Sequence, residues 1–327
     1  MLLSLNRRAG LVGGVEIGKQ HLHVVLAGLS HAVISESRRP VQPDLPADEG
    51  AALVGATVSD LLEEVGADRS ELLGVGLGLP GPIREPNGEV GDSSILPGWV
   101  GVGVAELVSA ELQVPVMVDN DANLGALAEW MWGAGRGCQD MVFLKVATGI
   151  GAGLIVSGSP YRGTGGTAGE IGHTQVNAHG QLCRCGNRGC LETVAGSHAL
   201  VQAFSETRER TPSLEQVIEW ALSGDVGSRR VIGDAGRAIG SAMAMFCNVL
   251  NPARIVVGGE LAAAGTYLIQ PLREVLERNA IASAAADVEV VVGELGDRAV
   301  ALGAVGLVLR STTIELPEAS RSEARLG

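Results

Sequence analysis

The sequence predicts an α/β protein of two related lobes with a cleft between them, and three observations carry that expectation. A strand, a glycine turn and a second strand open the chain at Leu11–Leu29, and the same pattern returns at Met141–Ser157. Apolar runs of strand length alternate with segments of helical period through most of the chain. At 46% hydrophobic but 3% aromatic, the core has to be built from Val, Leu, Ile and Ala, with glycines clustered in short runs beside the apolar strands. The 327 residues are enough for two lobes of ordinary size.

The elements follow in order. Residues 1–10, with Arg7 and Arg8, read as a linker. Strands are expected at Leu11–Gly18, His21–Leu29 and Ala32–Arg39, the first two joined by the hairpin turn Gly18-Lys19-Gln20. Apolar positions Ala52, Leu53, Ala56, Leu61, Leu62 and Val65 lie near a 3.6 period and predict a helix over Ala47–Val65. Leu72–Leu79 is a buried strand stopped by Pro80-Gly81-Pro82. Ser93–Trp99 reads as a loop, Val104–Glu111 as a helix and Val114–Val118 as a strand, and a further helix starts after Asn120-Asp121 and ends near Trp132. The second lobe begins with strand Met141–Ala147, turn Thr148–Gly151 and strand Ala152–Ser157. Helices at Ser213–Ser223, Ser228–Asn248 and Tyr267–Arg278 surround strands Arg254–Val257 and Val288–Val292. The last helix, Asp297–Arg310, is expected to return to the first lobe, and 311–327 is a polar tail. The lobes would then be residues 11–122 with 297–310, and residues 123–296.

Composition narrows the function. A net charge of −13 disfavours direct nucleic-acid binding by this chain, because phosphate contact needs clustered Lys and Arg. No apolar run reaches membrane-spanning length, so no membrane partner is expected. The N-terminus carries its basic residues after the apolar stretch and has no cleavage site, unlike a signal peptide. With few cysteines besides, a cytoplasmic protein is expected.

Three of the five cysteines, Cys183, Cys185 and Cys190, lie in one stretch with His173 ten residues before the first. Thiolates and an imidazole are the ligands a tetrahedral Zn2+ prefers, and four protein ligands describe a structural site. The alternative is free thiols or a disulfide, but Cys183 and Cys185 are too close in sequence for an unstrained bridge. Such a loop fixes two carboxylates, Glu170 and Glu192, near one point. Paired carboxylates suit a polyhydroxylated ligand, although surface acids of no function look the same.

Asp121, with Asn120 beside it, ends the last strand of the first lobe. A carboxylate there would accept a proton from a substrate hydroxyl, and the same Asn-Asp pair is also an ordinary helix cap. The turn at Thr148-Gly149 offers backbone N–H groups and a hydroxyl to a phosphate, or is a plain hairpin. Gly258-Gly259, after a buried strand, would admit a flat base or simply make a turn.

Taken together, the segments GLGLPGPI (76–83), ILPGW (95–99), VPVMVDNDANLGALAEW (114–130), VATGIGAGLIVSG (146–158), GEIGH (169–173), CRCGNRGCLET (183–193) and NPARIVVGGE (251–260) resemble the ROK family of repressors, open reading frames and kinases. The resemblance spans residues 11–310. It implies an actin-like, ribonuclease-H-like fold that assembles as a homodimer or homotetramer. It also implies Asp121 as catalytic base, sugar contacts from Asn120, Asp121, Glu170, His173 and Glu192, and zinc ligands at His173, Cys183, Cys185 and Cys190. Thr148 and Gly149 match the second phosphate loop.

The first phosphate loop departs from the family's kinases, which carry an Asp-x-Gly-Gly-Thr type sequence. This chain has Glu16-Ile17-Gly18-Lys19-Gln20, with a longer carboxylate arm, a lysine for a glycine and an amide for a hydroxyl. Ile95 stands where those kinases often carry Asn. The N-terminal LLSLNRRAGLVGGVEIG is similar to the joint between a winged helix-turn-helix and the sensor domain in the family's repressors, so no DNA-binding domain is expected here. The expected function is a sugar-binding effector domain with kinase activity lost or weak. The rival is an ATP-dependent hexose kinase using Mg-ATP, with Glu16 and Gly18 at the nucleotide.

Overall fold

The computed structural model describes residues 10–84, 88–91, 95–205 and 210–311. Residues 1–9 of the linker expected at 1–10, Ser93 and Ser94 of the expected loop, and residues 312–327 of the tail expected at 311–327 lie outside these residues, while Ser311 ends the last helix.

Two five-stranded sheets share one topology. The first half holds β1 (Leu11–Ile17), β2 (His21–Gly28), β3 (Val33–Pro40), α1 (Ala47–Val65), β4 (Leu72–Leu79), the small hairpin β5 (Ile83–Arg84) and β6 (Glu89–Val90), α2 (Val104–Leu112) and β7 (Val116–Asn120). Then come α3 (Asp121–Trp132), β8 (Met141–Val146), β9 (Ile150–Val156), β10 (Ser159–Tyr161), α4 (Glu192–Ala195), α5 (Ser197–Gln202), α6 (Leu214–Leu222) and α7 (Val226–Leu250). The chain continues through β11 (Arg254–Gly258), α8 (Thr266–Asn279), α9 (Ala282–Ala285), β12 (Glu289–Val292) and α10 (Ala299–Ser311). The sheet orders are β3-β2-β1-β4-β7 and β10-β9-β8-β11-β12. In each, an antiparallel meander is extended by two strands parallel to its first. The repeated strand–glycine turn–strand is therefore the start of two equivalent sheets.

Helices α1 and α2 cover one face of the first sheet, and α4 to α8 bury the outer face of the second. Between the sheets lie α10, packed on β1 and β4, and α3, packed on β8, β9 and α10. This middle layer explains the glycine-rich strands. A Cβ on Gly76 would stand 2.1 Å from the Ala304 carbonyl of α10, and one on Gly153 would stand 2.2 Å from the Ala122 carbonyl of α3. Helix backbone rests directly on strand backbone at both places, and only glycine leaves room.

Several boundaries differ from expectation. The strand expected at Val114–Val118 is β7, Val116–Asn120, because it pairs in parallel with Val75–Leu79 and so runs up to the cleft. Val146 pairs with Ile150, so β9 starts two residues before the expected Ala152 and the turn shrinks to Ala147–Gly149. The expected final helix at Asp297 begins instead as a 3-10 turn, Gly296–Arg298, and α10 starts at Ala299. Among the described residues no helix is long and apolar enough to cross a membrane.

Candidate functional site

Asn120 closes β7 and caps α3: its Oδ1 accepts from the Ala122 and Asn123 amides at 2.9 and 3.2 Å, while its Nδ2 donates to the Gly81 carbonyl at 2.9 Å. The Asp121 Oδ1 accepts from the Ala122 amide at 2.8 Å. The cap and the cleft position thus coexist in one pair of residues. Asp119 anchors the pair from behind. Its carboxylate accepts from the Asn120 amide at 2.8 Å and from Asn123 Nδ2 at 3.0 Å, and Arg162 clamps it with Nε at 2.9 Å and Nη2 at 2.6 Å.

The second oxygen of Asp121 accepts at 2.8 Å from the ammonium of Lys145, whose Nζ also donates to Glu16 Oε1 at 2.9 Å. Sequence reasoning missed Lys145, a cation inside strand β8. Burial opposes its charge, but the Asp121 and Glu16 carboxylates outweigh that and raise its pKa well above the usual lysine value. Burial likewise pushes the Glu16 carboxyl up, yet Lys145 and His21 bring it down to about 2. His21 stands 3.5 Å from Glu16, and its ring fills the space beside Gly18, where a Cβ would meet it at 2.3 Å. The Gly18 amide is already given to the His21 carbonyl at 2.9 Å.

The opposite wall is the metal-ligand segment. Cys185 and Cys190 sulfurs lie 3.7 Å apart, and His173 Nδ1 lies 3.6 Å from the Cys183 sulfur. All four ligand atoms fall within 4.8 Å of one another. These spacings exceed a disulfide bond and match the edge of a tetrahedron about 2.3 Å from its centre, roughly 3.8 Å. Burial and the neighbouring thiols push Cys190 up to about 12, so a bound cation is what would let these thiols ionise together. The donor set therefore fits a metal ion.

Beside that cluster, Glu192 Oε2 accepts from the Ile150 amide at 3.2 Å and from Arg184 Nη2 at 2.7 Å. Arg184, between two of the cysteines, is a second cleft residue the sequence did not single out. Glu170 lies 4.0 Å from His173 Nε2. Burial first, and then the Asp121 and Glu192 charges, push its carboxyl up to about 6 against the pull of Arg184. Asp121, Glu170 and Glu192 all line the same cleft.

Every residue singled out in the sequence for ligand contact lines one cleft of about 410 Å3, with the cysteines standing behind its wall. Thr148 and Gly149 form the turn on its floor, where Ile95 places an apolar methyl near Gly149. Gly258 packs against the Phe143 ring, and Gly259, at φ 83°, rests on the Val146 carbonyl, so backbone packing already requires both glycines.

The sequence pattern of the ROK family matches residues 12–311. The xylose repressor of Caldicellulosiruptor bescii is 29% identical over 97% of this chain and 82% of its own length. A ROK family glucokinase from Streptomyces griseus, solved in complex with glucose and AMPPNP, superposes with a TM-score of 0.82 at 27% identity, covering 91% of this chain and 99% of that one. A ROK family transcriptional regulator, a homolog of the E. coli MLC protein, superposes at 0.81 with 25% identity, covering 93% and 79%. The two-sheet architecture is the actin-like fold of these sugar kinases and regulators.

Proposed function

Because the chain belongs to the ROK family, we propose that it is the sugar-binding effector domain of a transcriptional regulator, with kinase chemistry lost. The observation that carries this reading is the turn Gly18-Lys19-Gln20. A nucleotide's phosphates need bare backbone amides. Here the Gly18 amide is spent on the His21 carbonyl, the His21 ring fills the space beside it, and Lys19 and Gln20 carry long side chains. Such a turn is poorly suited to cradle the phosphates of Mg-ATP, which supports a lost kinase activity.

The sugar wall supports the other half of the reading. Asp121, Glu170 and Glu192 offer carboxylate oxygens to paired hydroxyls, and the Asn120 amide sits among them. His173, Cys183, Cys185 and Cys190 would hold a structural Zn2+. With Nδ1 toward the thiols, His173 would keep Nε2–H as a donor on the Glu170 side, since a ligating imidazole donates through its other nitrogen. Ligand contact and metal loop are thus one piece of chain. Sugar binding would draw the two walls together, and the metal loop would pass that change to the partner subunit of a homodimer or homotetramer in the cytoplasm.

The test is thermal stabilisation by a panel of hexoses, hexosamines and pentoses, run beside ADP release from Mg-ATP with the same sugars. One sugar should stabilise the protein without ADP release. Asp121→Ala should weaken that binding about 10- to 100-fold, as expected for lost hydrogen bonds to a charged group. Sugar-dependent ADP release that disappears in Asp121→Ala would make the protein a hexose kinase.

A further inference from the structure

A phosphoryl-transfer site needs a divalent cation to carry nucleotide charge, and in this cleft Glu16 and Asp121 are the two carboxylates that converge on one point. The space between those carboxylates is taken by a covalently tethered cation. Lys145 reaches them from β8 in the second sheet, Glu16 sits on β1 in the first, and Asp121 begins the helix between the sheets. Lys145 and Asp121 side chains are each 16% exposed and Glu16 6%, so solvent ions screen the group little. We propose that the Lys145 ammonium stands in for the divalent cation between Glu16 and Asp121, so that this cleft holds its sugar without metal or nucleotide.

Charge and geometry both support the substitution. One buried and one half-buried carboxylate facing one cleft need a counter-charge, and either a divalent ion or an ammonium supplies it. An ammonium is a compact point charge with three donors, and the carboxylates use two of them. The third is left for a ligand hydroxyl beside Asp121. A divalent ion would bring open coordination positions for phosphate oxygens, whereas an ammonium brings none. Lys145 is thus a specificity-determining residue: it keeps the sugar wall charged and ordered while excluding the metal that phosphoryl transfer requires.

The inference deepens the effector reading and rests on it, and one experiment separates the two. Mn2+ alone is titrated into the zinc-loaded protein, with free Mn2+ followed by its EPR signal and unfolding followed by heat. Wild type should show no site at this pair, while Lys145→Met should bind one Mn2+ at least tenfold more tightly and melt higher with it. Adding Glu16→Gln to Lys145→Met should remove that gain, which places the ion here rather than on surface acids. If Lys145→Met unfolds in metal-free buffer, Mn2+ has to restore its folding. Wild type that binds Mn2+ as tightly as Lys145→Met, or a Lys145→Met protein that Mn2+ neither binds nor rescues, overturns the proposal. Wild type stabilised by sugar only after Mn2+ is added would also overturn it, leaving the effector reading intact. Wild type indifferent to both Mn2+ and every sugar would sink the effector reading and, with it, the claim that the cleft holds sugar without metal, while a Mn2+ site gained only in Lys145→Met would still place Lys145 where the cation belongs.

Discussion

The Glu16 carboxyl stays ionised in the folded protein down to about pH 2, although its ordinary value is 4.5. Between those values the unfolded chain binds a proton that the folded chain does not. Folding free energy supplied by the pair is therefore fully present above about pH 5 and is lost as pH falls toward 2, on the order of a few kcal/mol. Urea unfolding at pH 7 and pH 3.5 checks this. Wild type should lose more stability across that interval than Glu16→Gln, and equal losses would refute the ionised pair. That Asn120, Asp121, Glu170 and Glu192 would share one cleft was legible because they sit in contiguous motifs. Lys145 was not, since its two partners lie 129 and 24 residues away and nothing local distinguishes a cleft lysine from a strand-edge one. Arg184 was missed for another reason: its position among the cysteines is plain, but the direction of its side chain is set only by the folded loop.

At the scale of elements, long periodic segments were read well and short ones poorly. Helix Ala47–Val65 and strand Leu72–Leu79 fall where period and proline stops place them. The β5–β6 hairpin, β10, α4, α5 and α9 span two to six residues each, too few for a period to show. The helix layer was not legible either, because the strand glycines gain meaning only when a helix lies on them. Its tightest point is the crossing of α10 over α3, where a Cβ on Gly303 would stand 1.9 Å from the Leu124 carbonyl. Gly303→Ala should cost about 1–3 kcal/mol and lower the melting temperature by several degrees, the penalty of overpacking against rigid backbone. An unchanged melting temperature would mean that the helices separate freely. For the metal loop, purified protein should contain about one zinc per chain. Cys185→Ser should lower zinc content and abolish sugar stabilisation while leaving far-UV circular dichroism nearly unchanged, because the loop carries the ligands and little regular structure. A serine variant with full sugar response would separate the metal from the site.

Across the whole molecule, buried and half-buried charges bind the two sheets to each other beside the cleft. Lys145 joins β8 to β1 and α3, and Arg162, just after β10, clamps Asp119 on β7. Glu129 of α3 adds a third tie, accepting from the Ala134 amide at 2.8 Å and from Leu295 at 2.9 Å ahead of α10. The repeated hairpin in the sequence foretold two equivalent sheets, but the charges that join them come from opposite halves of the chain and leave no local signature. Arg162 is a direct test of this joint. Its side chain is 27% exposed and the Asp119 side chain 6%, so Arg162→Met leaves a nearly buried carboxylate held only by amide donors. The expected loss is about 2 kcal/mol, below that of a fully buried pair because of this exposure. Because Asp119 also holds the Asn120 amide, sugar binding should weaken in the same variant. Asp119→Asn with Arg162→Met should be more stable than the sum of the single effects, as a double-mutant cycle by urea unfolding would show. Strict additivity would mean that the two sheets meet at this edge without coupling, and that closure of the cleft over a sugar is resisted elsewhere.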